Sequence, residues 1–266
     1  MPNLIPPIRE VAVYKNDVVV IRDPGNPPNV TPERGAITEF SKRSRQRLAF
    51  VAANTDVEFK TMITLTYPLE FPSDGEKVKA NFKAFLEWLT RDLGSRPNYL
   101  WFLEFQSRGA PHFHLLIDYE LPRIWVQQTL HVGDRDVTRQ VRNEGNREEL
   151  RAFRFRVSGT WYRIVGSGDY KHLQAGTRVE RVRKPGGASR YAVKYALKMY
   201  QKLVPAEYQN VGRFWGCSQD VMPICRQRHR VTEDDVRGAL EGWKYAPPDD
   251  KPLWTVLYGV SPRFTR

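Results

Sequence analysis

The stretch Glu104-Phe-Gln-Ser-Arg-Gly-Ala-Pro-His112-Phe113-His114-Leu-Leu-Ile117 decides how this chain is read. Two imidazoles flank one phenyl ring inside an apolar run. Side chains alternate faces along a strand, so His112 and His114 point one way and Phe113, Leu115 and Ile117 the other. Glu104 closes an earlier apolar run, Leu100-Trp101-Phe102-Leu103, and Gln106 to Pro111 reads as a turn. Paired as a hairpin, the two runs bring one carboxylate and two imidazoles to one face. That set suits a divalent metal with coordination positions left over for a substrate. The plainer reading is a pair of ordinary sheet histidines, since imidazole is also a common polar surface group.

Outward from this hairpin, Met62-Ile-Thr-Leu-Thr-Tyr67 alternates as a half-buried strand does. Ile63 and Leu65 fall on one side, Thr64 and Thr66 on the other. Ser73 and Glu76 read as a capping box. Val78, Phe82, Phe85, Leu86, Leu89 and Leu93 then recur at helical spacing, which predicts a helix from about Gly75 to Leu93. The strands of the hairpin are expected at about 99–105 and 112–118. A short helix is expected from Pro122 to Leu130, an exposed loop over 133–146, and a helix from Glu148 to Val165. His172 to Val182 reads as an extended basic strand, Ser189 to Leu203 as a helix, Thr232 to Trp243 as another, and Trp254 to Val260 as a last strand. Ahead of all this, Val11–Tyr14 and Val18–Ile21 form a candidate hairpin, and Thr31 to Asn54 reads as a basic helix. Its apolar side would hold Ile37, Phe40, Leu48 and Val51. The order of strands and helices predicts an α+β fold, an antiparallel sheet flanked by helices. Phe113, Leu115, Ile117, Ile63 and Leu65 would face those helices. Glu104, His112, His114, Thr64 and Thr66 would share the open face if the strands pair in matching register.

Composition narrows the partners. The chain has 266 residues, 41% of them hydrophobic, with 42 Lys+Arg against 30 Asp+Glu, a formal charge of +12. That balance favours a polyanion, nucleic acid first. The charge is clustered at Arg43, Arg45 and Arg47 and again at Arg178, Arg181, Arg183 and Lys184. These residues, with Arg108 in the hairpin turn, are the candidate DNA contacts, although a solvated face is the commoner explanation for such runs. Arg213-Phe214-Trp215 could stack on bases or form a buried edge-strand cluster. Cys217 and Cys225 are too few for a disulfide framework or a cysteine zinc site. No signal peptide or membrane-length apolar stretch is visible, so a soluble, cytoplasmic protein is expected, with no membrane partner. Neither a nucleotide phosphate-binding loop nor an internal repeat is present.

Ser189-Arg-Tyr191-Ala-Val-Lys194-Tyr195-Ala-Leu-Lys198-Met-Tyr200-Gln-Lys202 has an unusual helical wheel. Tyr191, Lys194, Tyr195, Lys198 and Lys202 form one stripe, with Ala192, Val193, Ala196, Leu197 and Tyr200 opposite. A phenol is a poor nucleophile at neutral pH, and nearby ammonium groups favour the phenolate. A lysine-rich solvated face explains the same stripe without chemistry.

Together these segments resemble the rolling-circle replication initiators, the HUH endonucleases named for His-hydrophobic-His. The resemblance covers about 59–203. Met62-Ile-Thr-Leu-Thr-Tyr-Pro68 looks like the first family motif, Pro111-His-Phe-His-Leu-Leu116 the second, and Tyr191-Ala-Val-Lys-Tyr195-Ala-Leu-Lys198 the third in its two-tyrosine form. The family implies a sheet of about five strands and a site on its open face. It implies a divalent ion, Mn²⁺ or Mg²⁺, held by Glu104, His112 and His114. It also implies attack by Tyr195 or Tyr191, with Lys194 and Lys198 beside them, on single-stranded or hairpin origin DNA. The products would be a 5′-phosphotyrosine and a free 3′-hydroxyl, with a bacterial host's helicase and polymerase completing replication. On this reading residues 1–55 are an extension of hairpin and basic helix, 56–216 the catalytic domain, and 217–266 a C-terminal extension. An HUH-type transposase, a metal-dependent phosphoesterase using activated water, and a catalytically silent DNA-binding module remain as alternatives. The oligomeric state stays open.

Overall fold

The computed structural model describes residues 8–22, 37–132, 135–182, 204–232, 234 and 254–258. The chain begins with strands β1 (Ile8–Val13) and β2 (Asp17–Arg22), then helix α1 (Lys42–Asn54), strand β3 (Thr61–Thr66) and helix α2 (Gly75–Asp92). Strands β4 (Tyr99–Phe105), β5 (Pro111–Ile117), β6 (Trp125–Val132) and β7 (Arg135–Arg142) follow. Helices α3 (Glu144–Val165) and α4 (Tyr170–Ala175) precede β8 (Thr177–Arg181), β9 (Trp215–Cys217), β10 (Gln227–Arg230) and β11 (Trp254–Tyr258).

The α+β expectation holds. Five antiparallel strands make the central sheet, in the order β8-β3-β5-β4-β9. A second sheet, β10-β1-β2-β11, joins the N-terminal hairpin to strands from the other end of the chain. The β6–β7 pair stands as a sheet of its own.

Alternation sets the two faces of the central sheet. Leu65 pairs with Phe113 and Ile63 with Leu115, and these side chains face the helices. Phe82 of α2 stacks on Phe113, centroids 4.3 Å apart and planes at 12°. Trp101 meets both rings edge-on or tilted. Trp161 of α3 is fully buried and packs against Phe85 and Tyr67. The indole Nε1 of Trp161 donates to the Thr66 carbonyl at 2.7 Å, so α3 is tied to the end of β3.

Several local expectations give way. Helix α1 starts at Lys42, not Thr31, because the Ser41 hydroxyl accepts from Ser44 N–H and caps it there. Residues 31–36 lie outside the described residues, and Ile37 is exposed while Phe40, Leu48 and Val51 are buried. The α2 cap is Asp74, whose carboxylate accepts from Glu76 N–H, in place of the Ser73–Glu76 box. Strand β3 is buried on both faces, including Met62 and Thr64. The segment expected as a helix and then a loop over 122–146 is the β6–β7 hairpin, paired from Trp125↔Arg142 to Val132↔Arg135. β-branched residues at Val126, Thr129, Val132, Val137, Thr138 and Val141 carry that preference. The stretch from His172 to Ala175 belongs to helix α4, capped by Asp169, and the extended strand begins only at Thr177. The helices expected at 189–203 and 232–243 lie outside the described residues, apart from 232 and 234.

The second sheet is locked to α1 by a buried clamp. Asn54 Oδ1 accepts from the backbone N–H groups of Asn16 and Asp17, at 2.9 and 3.0 Å, and its amide donates to the Asp17 carboxylate. Tyr14 packs edge-on against Phe50. Among the described residues no helix is long and apolar enough to cross a membrane.

Phe113 roots the histidine strand from the helix side. Replacing it with Ala should lower stability by about 3–5 kcal/mol, and with Leu by about 1–2 kcal/mol. Chemical denaturation of the purified variants checks both values.

Candidate functional site

The site is built from three neighbouring strands. Register places Glu104 opposite His112 and Phe102 opposite His114 across the β4–β5 pair. On the other flank Thr66 lies opposite His112 and Thr64 opposite His114. All six therefore share one face. The turn that closes this hairpin bonds Gln106 N–H to the Ala110 carbonyl, and Gly109 within it has φ +82°, a conformation glycine adopts without strain.

Each imidazole is held at Nδ1. The Thr66 hydroxyl lies 3.0 Å from His112 Nδ1, and the Thr64 hydroxyl 3.4 Å from His114 Nδ1. When Nδ1 carries the proton and donates to the hydroxyl oxygen, Nε2 presents its lone pair. Second-sphere bonds of this kind fix ring orientation in metal-ligating histidines. Phe102 stacks on His114, centroids 4.9 Å apart, and the two imidazoles lie 4.6 Å apart at 74°. His114 Nε2 is 3.3 Å from Glu104 Oε2. Two lone-pair atoms at that distance need a positive charge between them, either a proton or a cation. Among the described residues no three His, Cys, Asp or Glu side chains are already closed into a coordination sphere. The donors nonetheless fit a divalent ion of borderline hardness in kind, number and shared face.

The expected open face is covered. Glu104 and His114 are each only 4% exposed, while His112 is half-buried. Trp215, opposite Phe102 in register, donates from its indole to the Ser44 hydroxyl of α1. The basic helix thus closes over the β9 side of the site. Burial drives the His112 pKa down to about 4, helped by His114 and Arg108 and opposed by Glu104. The ring is neutral at pH 7, as a metal ligand must be.

The remaining sequence candidates fall into distinct places. Arg43 and Arg47 are exposed on α1, and Arg45 is half-buried there. Arg178, opposite Thr64 on β8, is exposed and paired with Glu180 at 2.7 Å. Arg181 is a strut, donating to the Leu121 carbonyl and to Glu120. Arg108 ties the hairpin turn to the loop after β3 by donating to the carbonyls of Tyr67, Pro68 and Leu69. Its guanidinium also lies over Phe71. Arg183, Lys184, Tyr191, Lys194, Tyr195 and Lys198 lie outside the described residues. Phe214 stacks on Phe40 at 5.0 Å and is buried, which makes it part of an edge-strand cluster. Cys217 and Cys225 are free.

Sequence reasoning passed over the support beneath Thr66. The Thr66 carbonyl meets Trp161 Nε1 and His172 Nε2, both at 2.7 Å, and its N–H donates to the Gly176 carbonyl. His172 is therefore structural, bracing the residue that positions His112. Phe102 could have been found from its two-residue offset from Glu104; nothing in the sequence ties His172 to Thr66.

Residues 60–200 match the family model described as replication-associated protein ORF2/G2P. An antiparallel sheet with this site is thus the core of a replication-associated protein. The match spans more than half of the chain, and the chain belongs to that family. No curated protein and no solved structure matches it.

His112 also gives a pH signature. The unfolded chain binds its proton below about pH 6.5, whereas the folded chain resists until about pH 4. The contribution of neutral His112 to stability is complete above pH 6.5 and declines as pH falls from there toward 4. In chelator, denaturation midpoints should drop across that window, and His112→Gln should drop less steeply. Identical slopes would show that His112 is not held neutral.

Proposed function

We propose that the protein initiates replication by nicking single-stranded DNA in the HUH manner. The observation that carries this reading is Glu104, His112 and His114 on one sheet face, with both imidazoles braced by threonines, in a member of a replication-associated family. Glu104 and the Nε2 atoms of His112 and His114 would hold Mn²⁺ or Mg²⁺. When bound, the ion polarises the scissile phosphate and stabilises the charge that builds on it.

The chain's own residues supply the rest. Thr64 and Thr66 keep the imidazoles oriented. Burial of His114 and Glu104 keeps water from competing at the ligands. Tyr195, with Tyr191 one turn before it in the sequence pattern, supplies the nucleophile. Its phenolate oxygen forms the bond to phosphorus as the bond from phosphorus to the 3′ oxygen breaks. The DNA is left joined through a 5′-phosphotyrosine, and the departing 3′ oxygen takes up a proton to become a hydroxyl. One phosphodiester is exchanged for another, so resealing requires no ATP. Lys194 and Lys198 favour the phenolate. The arginines of α1 and Arg178 offer phosphate contacts near the site.

Incubation with labelled single-stranded origin DNA and Mn²⁺, followed by a denaturing gel, tests the reading. A covalent adduct should form, vanish with chelator, and fall by at least about a hundredfold in His114→Ala. Adduct should persist in Tyr191→Phe or Tyr195→Phe if the two phenols are interchangeable, and disappear in the double variant. Adduct in the double variant contradicts the mechanism. Thr66→Val should weaken Mn²⁺ affinity about tenfold or more without unfolding the protein, as read by titration calorimetry.

A further inference from the structure

The β6–β7 ribbon has no role in the site just described. Its eight residue pairs run without a break from Trp125↔Arg142 to Val132↔Arg135. Among the described residues neither strand packs substantially on another element. A lone two-stranded hairpin is at best marginally stable in water. This one is held mainly at its foot, where Asn143 N–H donates to the Ile124 carbonyl and the Asn146 amide to the Arg123 carbonyl. Among the described residues of the ribbon none is buried.

The exposed groups have a common chemistry. Gln127 lies opposite Gln140, Gln128 opposite Arg139, and Thr129 opposite Thr138, and all six are exposed. The two threonine hydroxyls bond across the strands at 3.0 Å. Carboxamides and guanidiniums are the groups that make paired hydrogen bonds to adenine and guanine edges in the major groove. Strands about 4.8 Å apart, with side chains, make a ribbon about 10 Å across. The major groove, about 12 Å wide, admits a two-stranded ribbon. Segment 125–142 carries three arginines against two aspartates, and Arg147, Arg151 and Arg154 follow on α3. At the foot, a cleft of about 1230 Å³ is lined by Lys15, Lys60, Arg123, Arg154 and Arg181, interspersed with acids such as Glu120. The ribbon's one Phe, Tyr or Trp is Trp125, exposed at its foot, and beyond it 126–142 carries none. Single-strand binding relies on rows of such rings as stacking platforms, so the stretch beyond Trp125 suits a duplex better.

We propose that the β6–β7 ribbon enters the major groove of double-stranded DNA with the face that carries Gln127 and Gln140 at the base edges, while Gln128 and Arg139 lie on the opposite face. The ribbon would then select the duplex part of an origin, such as a hairpin stem. The sheet face would act on the single strand. The inference rests on membership in a replication family and not on metal or tyrosine chemistry.

The test uses the full chain in chelator, where nicking plays no part. A pool of randomised duplexes of about 20 base pairs is selected for binding, and one enriched duplex is compared with its own separated strand. Dimethyl sulfate reports guanine N7, which lies in the major groove. The wild-type protein should protect N7 positions in the selected duplex. Gln127→Ala/Gln140→Ala should lose that protection and bind the duplex about tenfold or more weakly, with single-strand affinity unchanged within about twofold. Gln128→Ala/Arg139→Ala, on the opposite face, should keep the N7 protection and the base preference. Unprotected N7 in the wild-type complex, or equal weakening on duplex and single strand, overturns the proposal.

Discussion

The pairing of Tyr99–Phe105 with Pro111–Ile117 is the constraint on which the rest of the structure depends. Strand side chains repeat every two residues, so a slip of one position would exchange the two faces. Phe113 would then leave its stack on Phe82, and His112 and His114 would point into the helix layer. Core packing on one face therefore fixes chemistry on the other. The apolar set of Phe113, Leu115, Ile63 and Leu65 prevents the slip, since moving it out of the core would expose four fully buried side chains.

Support for the site extends well behind Glu104, His112 and His114. Thr66 braces His112, and the Thr66 backbone is itself gripped by Trp161, His172 and Gly176. Elements 40 or more residues further along the chain thus orient a ring on β5. On the opposite flank, the Trp215–Ser44 bond ties the edge strand to the basic helix. A polar site kept this far from water is shaped by fixed dipoles and hydrogen bonds more than by solvent, which strengthens every charge interaction inside it. The same enclosure keeps His112 neutral.

The central sheet and the face that carries Glu104, His112 and His114 were legible because they follow from local alternation. Glu104, His112 and His114 sit where a period of two places them, and Thr64 and Thr66 follow once β3 pairs in the matching register. Helix α2 was legible from its apolar spacing. What escaped depends on contacts distant in sequence or on competing local signals. The β6–β7 ribbon was misread because glutamines and charged residues mask its β-branched positions. The start of α1 turned on a single serine cap. The cover on the β9 side of the site comes from the Trp215–Ser44 contact with α1, which no local pattern encodes. The roles of Tyr191, Tyr195, Lys194 and Lys198 fall outside the described residues and rest on their sequence pattern.

The central claim is that Glu104, His112 and His114 hold one divalent ion. Crystals grown with Mn²⁺ and measured at the manganese absorption edge address it directly. The account predicts a single anomalous peak within about 2.3 Å of a Glu104 carboxylate oxygen and of Nε2 on both histidines, and its loss in His114→Ala. A peak bound elsewhere, or none with the three side chains unchanged, would contradict it.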